Sequence, residues 1–226
     1  MTSVVRVYVV DLTVTPSDEL LATLSADERE RGDRFIFERD RRAFIRCRGR
    51  LRQLLGSTLN RDPACLTFTL GPYDKPHLHD DTLAFNVSHS HEIGLIAISD
   101  LSDLTTVGVD IERHRELSDL IAISRRYFTL SERQSLITLP TELRTRGFFC
   151  GWSRKEAFIK AVGMGFSFPL KELEVTVDPR KPAQIVSVSA PYSRESWEIY
   201  ELEIHPEYSA ALVTPIEVSI QVIFEH

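Results

Sequence analysis

The order in which strand-like and helical stretches follow one another limits the fold of this chain more than any other sequence feature. Residues 4–10 alternate in the manner of a strand. A capping box at residues 25–28 predicts the start of a helix, and an apolar stripe at helical spacing predicts a longer helix over residues 38–55. Further strands are predicted at residues 66–70, 83–88, 93–99 and 107–111.

A second series of helices and strands follows the first. Helices are predicted over residues 117–126 and 144–162, with Ser131 as the N-cap of a helix between them and Gly163 as the residue that ends the long one. Strands are then predicted at residues 173–177, 185–188, 197–204 and 210–213. This order predicts an α+β chain of two similar halves, although no sequence repeat is visible.

The composition excludes several classes of protein. A length of 226 residues suits one large domain or two small ones, and 42% hydrophobic with 27% charged residues is typical of a soluble globular protein. The net charge of −6 argues against a surface built for nucleic acid. No apolar run approaches the roughly 18–20 residues of a membrane-spanning helix, and the first residues lack a signal-peptide pattern. We therefore expect neither a nucleic-acid partner nor a membrane segment.

The cysteines indicate a reducing compartment. Cys47, Cys65 and Cys150 are odd in number and lack Cys-x-x-Cys spacing. Structural disulfides and a zinc site are therefore not expected, and a cytoplasmic location fits the pattern.

A run of arginines stands out against the acidic balance of the chain. Residues 39–52 contain seven arginines and a single acid, Asp40. Such a run can be a solvated helix face, or it can be a cationic wall for an anionic ligand or an acidic partner protein. The sequence leaves both interpretations open.

Three carboxylates and one lysine are candidates for a single site. Asp110 and Glu112 end an apolar stretch that predicts a buried strand, and residues two apart on a strand point to the same face. Glu156 and Lys160 are four apart in a helical pattern, so they also share a face. Carboxylate oxygens are the ligands that Mg²⁺ prefers, and a lysine suits a phosphate group beside it. Taken singly, each pair is more often a solvated surface pair.

Three motifs occur together in a specific order. They are Phe-Asn-Val-Ser-His-Ser at residues 85–90, Gly-Val-Asp-Ile-Glu at residues 108–112 and Trp-Ser-Arg-Lys-Glu-Ala-Phe-Ile-Lys at residues 152–160. In this order and spacing they resemble the 4′-phosphopantetheinyl transferase superfamily, in its long, surfactin-synthetase-activator type. Residues 73–78 resemble the Gly-Lys-Pro loop of that family, and with the segment around Arg31 the resemblance covers residues 1 to 215.

The resemblance implies a fold and an activity. The fold would have two pseudo-symmetric lobes, each a small, mostly antiparallel sheet packed with helices, with the active site in the cleft between them. The lobes would comprise residues 1–105 and 106–226, with the seam near residues 103–108. The enzyme would move the phosphopantetheine arm of coenzyme A onto a serine of an acyl or peptidyl carrier protein and release 3′,5′-ADP. Its clients would belong to fatty-acid, polyketide or nonribosomal-peptide synthesis, and it would work as a monomer, since both lobes lie in one chain.

The resemblance also implies a catalytic set. Asp110, Glu112 and Glu156 match the family's metal ligands, for Mg²⁺ with Mn²⁺ as the alternative. Asp110, Glu156 and Lys160 would be catalytic. Glu156 matches the residue proposed as the base toward the carrier serine, although a water relay is an equal alternative because a metal-bound carboxylate is a weak base. Lys160 would lie over the pyrophosphate.

Further positions match contacts to coenzyme A. Ser88 and His89 match a pair that contacts the phosphates, Lys75 matches a lysine near the adenine and phosphate end, and Arg31 matches a basic position used for the 3′-phosphate. The chain departs from the family at two positions, since Glu28 stands where some relatives have lysine and Phe44 replaces a small polar residue. The arginines that can substitute are Arg41, Arg42, Arg46 and Arg48.

Two other functions compete with the transferase hypothesis. A non-catalytic homologue would bind coenzyme A or a carrier without chemistry, and a Mg²⁺-dependent phosphate-ester hydrolase would use water as the nucleophile. A covalent serine mechanism is not expected, because Ser88 and His89 are adjacent on a predicted strand and face opposite ways. We expect Lys155 near the rim of the site and Trp152 in the core.

Overall fold

The structure of the chain is a computed structural model that describes residues 3–71, 73, 75–79, 83–99 and 104–225, without the side chain of Phe166. The helices of these residues are α1 (Asp18–Ala22), α2 (Ala26–Asp33), α3 (Glu38–Leu59), α4 (Leu120–Tyr127), α5 (Leu130–Thr138) and α6 (Thr141–Val162). Short 3₁₀ turns lie at Pro63–Cys65, Gly165–Ser167, Leu170–Glu172 and Arg194–Ser196. Within the described ranges, no helix combines the length and the apolar composition that crossing a bilayer requires.

The strands form two main sheets and two small hairpin-like pairs. They are β1 (Ser3–Asp11), β2 (Phe68–Leu70), β3 (Pro76–Leu78), β4 (Phe85–Ser90), β5 (Ile93–Ser99), β6 (Gly108–Arg113), β7 (Leu173–Val175), β8 (Ile185–Val188), β9 (Glu198–Glu201), β10 (Tyr208–Thr214) and β11 (Val218–Phe224). The first sheet has the order β11-β1-β5-β4 and the second the order β6-β10-β9. β11 pairs parallel with β1, and the other pairings are antiparallel. The predicted α+β class with small, mostly antiparallel sheets is confirmed.

The two main sheets meet where edge strand β4 of the first lies beside edge strand β6 of the second. No backbone ladder between them is present in the described residues; side chains of β4 accept hydrogen bonds from backbone N–H groups of β6 instead. The bonds run from Val109 N to Asn86 Oδ1 (2.9 Å), from Ile111 N to Ser88 Oγ (3.4 Å) and from Arg113 N to Ser90 Oγ (3.1 Å). Because residues two apart share a strand face, the Asn-x-Ser-x-Ser spacing supplies one acceptor for each inward N–H group. We call these three contacts the β4–β6 bridge.

Helix α6 packs against β6 and β10 and carries the third motif. The approach is so close that a Cβ atom at Gly108 would lie 2.0 Å from the carbonyl oxygen of Ala157, so residue 108 has room for glycine alone. The helix ends at Gly163, whose φ of +75° is the left-handed conformation that favours glycine. The helix and strand motifs are therefore held face to face.

Helix α3 packs on the other main sheet and explains most of the arginine run. Its apolar stripe, including Leu51 and Leu55, lies in a core cluster with Ile96 of β5. Arg52 is 2% exposed, and its Nε donates to Glu28 Oε2 at 2.6 Å. The seven arginines thus form neither a fully solvated helix face nor a continuous cationic surface, because some of their side chains point into the protein.

Several sequence predictions need correction. The N-cap of α5 is Thr129, not Ser131, and its capping box with Glu132 begins the helix two residues earlier. β11 was not predicted, because its pairing partner β1 lies at the other end of the chain. The division into lobes at residues 105 and 106 stays a prediction, and Asp103 of the expected seam lies outside the described residues; β11, near the C-terminus, belongs to the sheet of the N-terminal segment.

Candidate active site

Side chains from all three motifs meet at the β4–β6 bridge. Ser88 Oγ donates to Asp110 Oδ1 at 2.8 Å. The Lys160 ammonium donates to the same carboxylate oxygen at 2.7 Å and to Ser88 Oγ at 2.8 Å. Asp110 is 4% exposed, whereas the Lys160 side chain is 28% exposed and reaches solvent. A strand, a neighbouring strand and a helix therefore each contribute one side chain to a closed hydrogen-bonded triangle.

The other two carboxylates lie around this triangle. Glu112 Oε2 accepts from Ser90 Oγ at 3.3 Å. Asp110 Oδ2 and Glu156 Oε1 are both buried and have no hydrogen-bond partner among the described residues. A buried carboxylate oxygen without a donor is costly, so the arrangement calls for a positive group at this point.

The electrostatics of Glu156 lead to the same conclusion. Burial, followed by the Asp110 carboxylate and with a smaller contribution from Glu112, raises the pKa of Glu156 to about 7, although the Lys160 ammonium opposes the shift. Burial and the Asp110 carboxylate also raise the pKa of Glu112. The Asp110 carboxylate thus acts on both glutamates, and carboxylates near enough to interact in this way are near enough to share a cation.

A divalent cation fits this group of residues. Among the described residues, no three histidine, cysteine, aspartate or glutamate side chains lie in an arrangement that could hold a metal ion as it stands. The two unpartnered oxygens of Asp110 and Glu156, with Glu112 beside them, are nevertheless hard-oxygen donors of the kind Mg²⁺ binds. Lys160 supplies the single positive charge that contacts Asp110 in this geometry.

Lys75 does not reach into the site with a free ammonium group. Its Nζ donates to Thr106 Oγ1 at 2.8 Å, to Val107 O at 3.1 Å and to Lys160 O at 2.7 Å, with Ala161 O at 3.4 Å. Burial lowers its pKa to about 8. The residue that sequence reasoning assigned to coenzyme A thus contacts the end of α6.

His89 lies at the edge of the site. It is exposed while its neighbour Ser88 is buried, as expected for adjacent residues of a strand. The surrounding protein and the Lys160 ammonium lower the pKa of His89, whereas the carboxylates of Asp40 and Asp110 raise it. His89 therefore lies near the start of α3 on one side and near the triangle on the other.

Arg31 lies farther out, among the arginines of α3. Its guanidinium is over the Phe44 ring, 5.3 Å from the centroid, and its charge lowers the pKa of Arg48. Glu28 is occupied by Arg52 and by Arg48, whose Nε lies 3.5 Å from Glu28 Oε1. The Glu28 carboxylate is therefore paired with arginines of the protein itself.

The substitute arginines differ in what they contact. Arg41 pairs with Asp33 and Glu38, and Arg46 donates to the carbonyl of Asp11. Arg42 Nε and Arg48 Nη1 are buried without a hydrogen-bond partner among the described residues. The latter two arginines thus keep donors that an anion can use.

Lys155 is not at the rim, and that expectation was wrong. It is 0% exposed, and its Nζ donates to Glu132 Oε2 and to Leu170 O at 2.8 and 2.7 Å. It ties α6 to α5 and to the turn before β7. Trp152 is half-buried: it packs edge-on against Tyr127 at a centroid distance of 4.9 Å and borders a core cluster rather than lying inside it.

A cavity of about 160 Å³ opens beside the carboxylates. It lies between the end of β6, α4 and α6, and its walls include Glu112, Arg115, Phe149 and Trp152. Glu112 therefore borders a small cavity whose walls are mostly apolar and aromatic.

Sequence reasoning missed three residues that hold the site in place. Asn86 and Ser90 belong to the β4–β6 bridge, and Thr106 joins Lys75 to Ala161 O, to which it donates at 2.6 Å. The alternation of Asn86, Ser88 and Ser90 was visible as three polar residues on one face of an otherwise apolar strand. No local sequence pattern indicates the role of Thr106.

Comparison with known proteins gives consistent matches. A family model described as the 4′-phosphopantetheinyl transferase superfamily matches residues 106–213, a range that contains Asp110, Glu112, Glu156 and Lys160. The chain is similar to the 4′-phosphopantetheinyl transferase HetI of a Nostoc species, at 37% identity over 188 residues that make up 81% of this chain and 75% of that protein. It is also similar to the 4′-phosphopantetheinyl transferase Sfp of Bacillus subtilis, at 28% identity over 87% of this chain and 84% of that one.

Among solved structures, a holo-[acyl-carrier-protein] synthase of Thermotoga maritima aligns with a TM-score of 0.39 at 21% identity. The alignment covers 48% of this chain and 61% of that one.

Proposed function

Because the chain belongs to the 4′-phosphopantetheinyl transferase superfamily, we propose that it transfers the phosphopantetheine arm of coenzyme A to a serine of an acyl or peptidyl carrier protein. The observation that carries this proposal is the triangle of Ser88, Asp110 and Lys160 with the carboxylates of Glu112 and Glu156 around it. It combines at one point the partly exposed Lys160 ammonium and two carboxylate oxygens that have no partner among the described residues.

The reaction is a substitution at phosphorus. The serine oxygen of the carrier forms a bond to the β-phosphorus of coenzyme A, and the bond from that phosphorus to the bridging oxygen of the pyrophosphate breaks. The bridging oxygen keeps the electron pair, so 3′,5′-ADP leaves, and the serine proton passes to a base. Positioning and charge neutralisation supply most of the catalysis in such phosphoryl transfers.

Lys160 has the geometry to neutralise charge on the pyrophosphate. Its ammonium is fixed by Asp110 and Ser88 on one side and is partly exposed on the other. We propose that it donates to the pyrophosphate and stabilises the leaving 3′,5′-ADP, with Ser88 and His89 contacting the same phosphates. A lysine serves here as a point charge with three donors.

Asp110, Glu112 and Glu156 would hold Mg²⁺, with Mn²⁺ as the alternative. When bound, the cation would supply neutralisation of the pyrophosphate charge. The support is chemical: Asp110 Oδ2 and Glu156 Oε1 are buried carboxylate oxygens without donors in the described part of the chain, and burial, together with the acidic neighbours, raises the pKa of Glu156.

The base toward the carrier serine is Glu156 or a water molecule that Glu156 orients. A pKa near about 7 suits a group that accepts a proton at neutral pH. A bound cation would lower that pKa, and the water relay would then take over. Both routes run through the Glu156 carboxylate.

For the 3′-phosphate of coenzyme A we propose Arg48 and Arg42 together with Arg31. Arg48 and Arg42 each have a buried nitrogen that finds no partner in the described residues, and Arg31 lies beside Arg48. Glu28 also lies 3.5 Å from Arg48, but its carboxylate is already paired with Arg52 at 2.6 Å. Guanidinium groups bind phosphate through paired hydrogen bonds.

The proposed partners are coenzyme A and an acyl or peptidyl carrier domain of a fatty-acid, polyketide or nonribosomal-peptide synthase. We propose that the enzyme acts as a monomer, since the Ser88–Asp110–Lys160 triangle is formed by side chains of one chain. For the location we propose the cytoplasm, because the three cysteines are odd in number and lack Cys-x-x-Cys spacing.

The test is an incubation with coenzyme A, Mg²⁺ and a panel of apo-carrier proteins, followed by intact-mass measurement of each carrier. Transfer predicts that at least one carrier gains the mass of phosphopantetheine while 3′,5′-ADP appears in equal amount. Release of free phosphopantetheine without a carrier adduct would indicate the hydrolase. Coenzyme A binding without any product would indicate the non-catalytic homologue.

A further inference from the structure

The ammonium of Lys75 is surrounded by oxygen atoms of the protein itself. Three of its neighbours are the Thr106 hydroxyl and the carbonyls of Val107 and Lys160, at 2.8, 3.1 and 2.7 Å, and Ala161 O is a fourth at 3.4 Å. A lysine ammonium has three N–H donors. All three are therefore used by acceptors at hydrogen-bond distance, and none is left to point at a ligand.

Two of these acceptors belong to the last turn of α6. The final carbonyls of a helix have no partner within the helix, and its C-terminal end carries partial negative charge. The turn ends at Gly163 with φ of +75°, and the Lys75 Cδ atom is 3.7 Å from where a Cβ of residue 163 would lie. Lys75 thus packs against the helix end and neutralises it, although it is 85 residues away from Lys160 in sequence.

The other acceptors lie just before β6. Val107 O and Thr106 Oγ1 precede the strand that carries Asp110, and Thr106 Oγ1 also donates to Ala161 O at 2.6 Å. One ammonium group therefore joins the loop before β3, the entry to β6 and the end of α6. The residue whose backbone carbonyl it holds most closely is Lys160, whose own side chain contacts Asp110 and Ser88.

We propose that Lys75 is a positioning residue that caps the C-terminal end of α6 and thereby sets the Lys160 ammonium against Ser88 and Asp110. The proposal rests on the proposed transferase function for its kinetic readout. It differs from a direct contact to coenzyme A, because a phosphate could recruit Lys75 only by breaking its hydrogen bonds to the Val107 and Lys160 carbonyls, which would then need other donors.

The two roles predict different kinetics for Lys75→Met, which keeps the length of the side chain and removes its donors. If Lys75 positions Lys160, kcat falls by roughly 10- to 100-fold, because a misplaced catalytic group costs that much. The Kd of coenzyme A then changes by less than about 3-fold, since no contact to the ligand is lost. If Lys75 binds phosphate, Kd rises by about 10-fold or more, the usual effect of a lost charge-assisted hydrogen bond. That rise with kcat unchanged at saturating coenzyme A would overturn the proposal.

Thr106→Val provides a second variant with no change of charge. It removes the hydroxyl that links Lys75 to α6, so kcat is expected to fall in the same direction and by a smaller factor. The effects of the two substitutions on kcat are expected to be less than additive in the double variant, because both break one network. Additive effects, or a Thr106→Val enzyme with normal kcat, would contradict the shared role. Lys181→Met, at an exposed turn, is the matched control and is expected to leave kcat unchanged.

Hydrogen exchange separates this proposal from the proposed function. In Lys75→Met, the amides at the end of α6 are expected to exchange faster than in the wild type, whatever reaction the wild type performs. Faster exchange there supports the capping role even if no carrier is modified, and unchanged exchange refutes it. If Lys75→Met does not fold, the same comparison is made with Thr106→Val, and unchanged exchange again refutes the proposal.

Discussion

At the scale of single residues, Asp110 connects most parts of the site. One of its oxygens accepts from both Ser88 and Lys160, and the other is buried and has no partner within the described ranges. Its charge also raises the pKa values of Glu112 and Glu156. A single carboxylate therefore contacts the lysine through one oxygen and leaves the other oxygen for a cation.

Asp110→Ala is expected to weaken Mg²⁺ binding by at least roughly 10- to 100-fold, since it removes one of three charged ligands. Transfer is then lost at low Mg²⁺ and partly restored by excess Mg²⁺ or Mn²⁺. The measurement is the transfer rate as a function of metal concentration, with Asp18→Ala in the exposed first turn of α1 as the control. An Asp110→Ala enzyme with the metal dependence of the wild type would remove Asp110 from the metal site.

The raised pKa of Glu156 predicts how stability depends on pH in the metal-free protein. Its pKa is about 7 in the folded state, against 4.5 for an ordinary glutamate. Between these values the folded protein holds a proton that the unfolded chain has released, so the free energy of unfolding decreases as pH rises through this window. Above about 7 the loss is complete.

Thermal unfolding of the wild type and of Glu156→Gln, without metal and from about pH 5 to about pH 8, tests this dependence. The melting temperature of the wild type is expected to fall relative to that of the variant by a few degrees, given roughly 2–4 °C per kcal/mol in a chain of this size. Added Mg²⁺ is expected to reduce the difference at the upper end. Parallel curves for the two proteins would show that Glu156 is not perturbed in solution.

At the scale of secondary-structure elements, the site depends on how β4, β6 and α6 are held together. The β4–β6 bridge aligns Ser88 with Asp110, and glycine at residue 108 lets α6 approach β6 closely enough for Lys160 to reach both. Behind α6, the buried pair of Lys155 and Glu132 fixes the helix to α5. Breaking such a buried pair leaves an uncompensated charge, so separating α6 from α5 at this point would cost several kcal/mol, about 3–5 by analogy with other buried pairs.

Ser90→Ala tests the bridge without removing a catalytic side chain. It leaves the backbone N–H of Arg113 without its acceptor, so the free energy of unfolding is expected to fall by about 1–3 kcal/mol. The measurement is the urea midpoint with the slope unchanged. Ser187→Ala, at an exposed position of β8, is the matched control and is expected to stay within about 0.5 kcal/mol of the wild type. Equal stability of both variants would mean that water replaces the Ser90 acceptor at no cost.

Much of this element-level arrangement was predictable, because its signals are local. Asp110 and Glu112 share a strand face and Glu156 and Lys160 share a helix face by spacing alone, and the capping box at Ser25 opens α2 as predicted. Three other features were not predictable: the hydrogen bonds from Lys75 to the end of α6, the parallel pairing of β11 with β1 and the burial of Lys155. Each depends on partners from distant segments that no local pattern reports.

At the scale of the whole molecule, the charge is distributed so that few arginines of α3 remain free. The net charge is −6, and Arg50 and Arg52 pair with Glu225 and Glu28. Arg39 is more open to solvent: it pairs with its neighbour Asp40 at 3.2 Å, and its side chain is 78% exposed. Burial and the charges of Arg113, Arg115 and Arg39 together lower the pKa of His91 at the turn after β4. An acidic carrier, which the family resemblance implies, would therefore meet positive charge near the site at Arg39.

We expect the apparent KM for the carrier to rise with ionic strength, because opposed surface charges speed association in a salt-sensitive way. Arg39→Gln is expected to raise KM by about 2- to 5-fold at low salt, since one exposed contact is worth about 1 kcal/mol or less. Arg194→Gln, exposed in the turn before β9, is the control. A carrier KM that stays flat up to roughly 0.5 M salt, with coenzyme A binding intact, would exclude electrostatic steering.

The central claim, that the carboxylates and lysine around the β4–β6 bridge perform phosphopantetheine transfer, is tested most directly by Glu156→Gln. The substitution keeps the size and helical preference of the side chain and removes the charge and the possible base. Transfer to an apo-carrier is measured by intact mass, and coenzyme A binding is measured on the same samples. The account predicts near-normal coenzyme A binding and a kcat reduced by a factor of roughly 10² or more. A folded Glu156→Gln enzyme with near-normal kcat would contradict it.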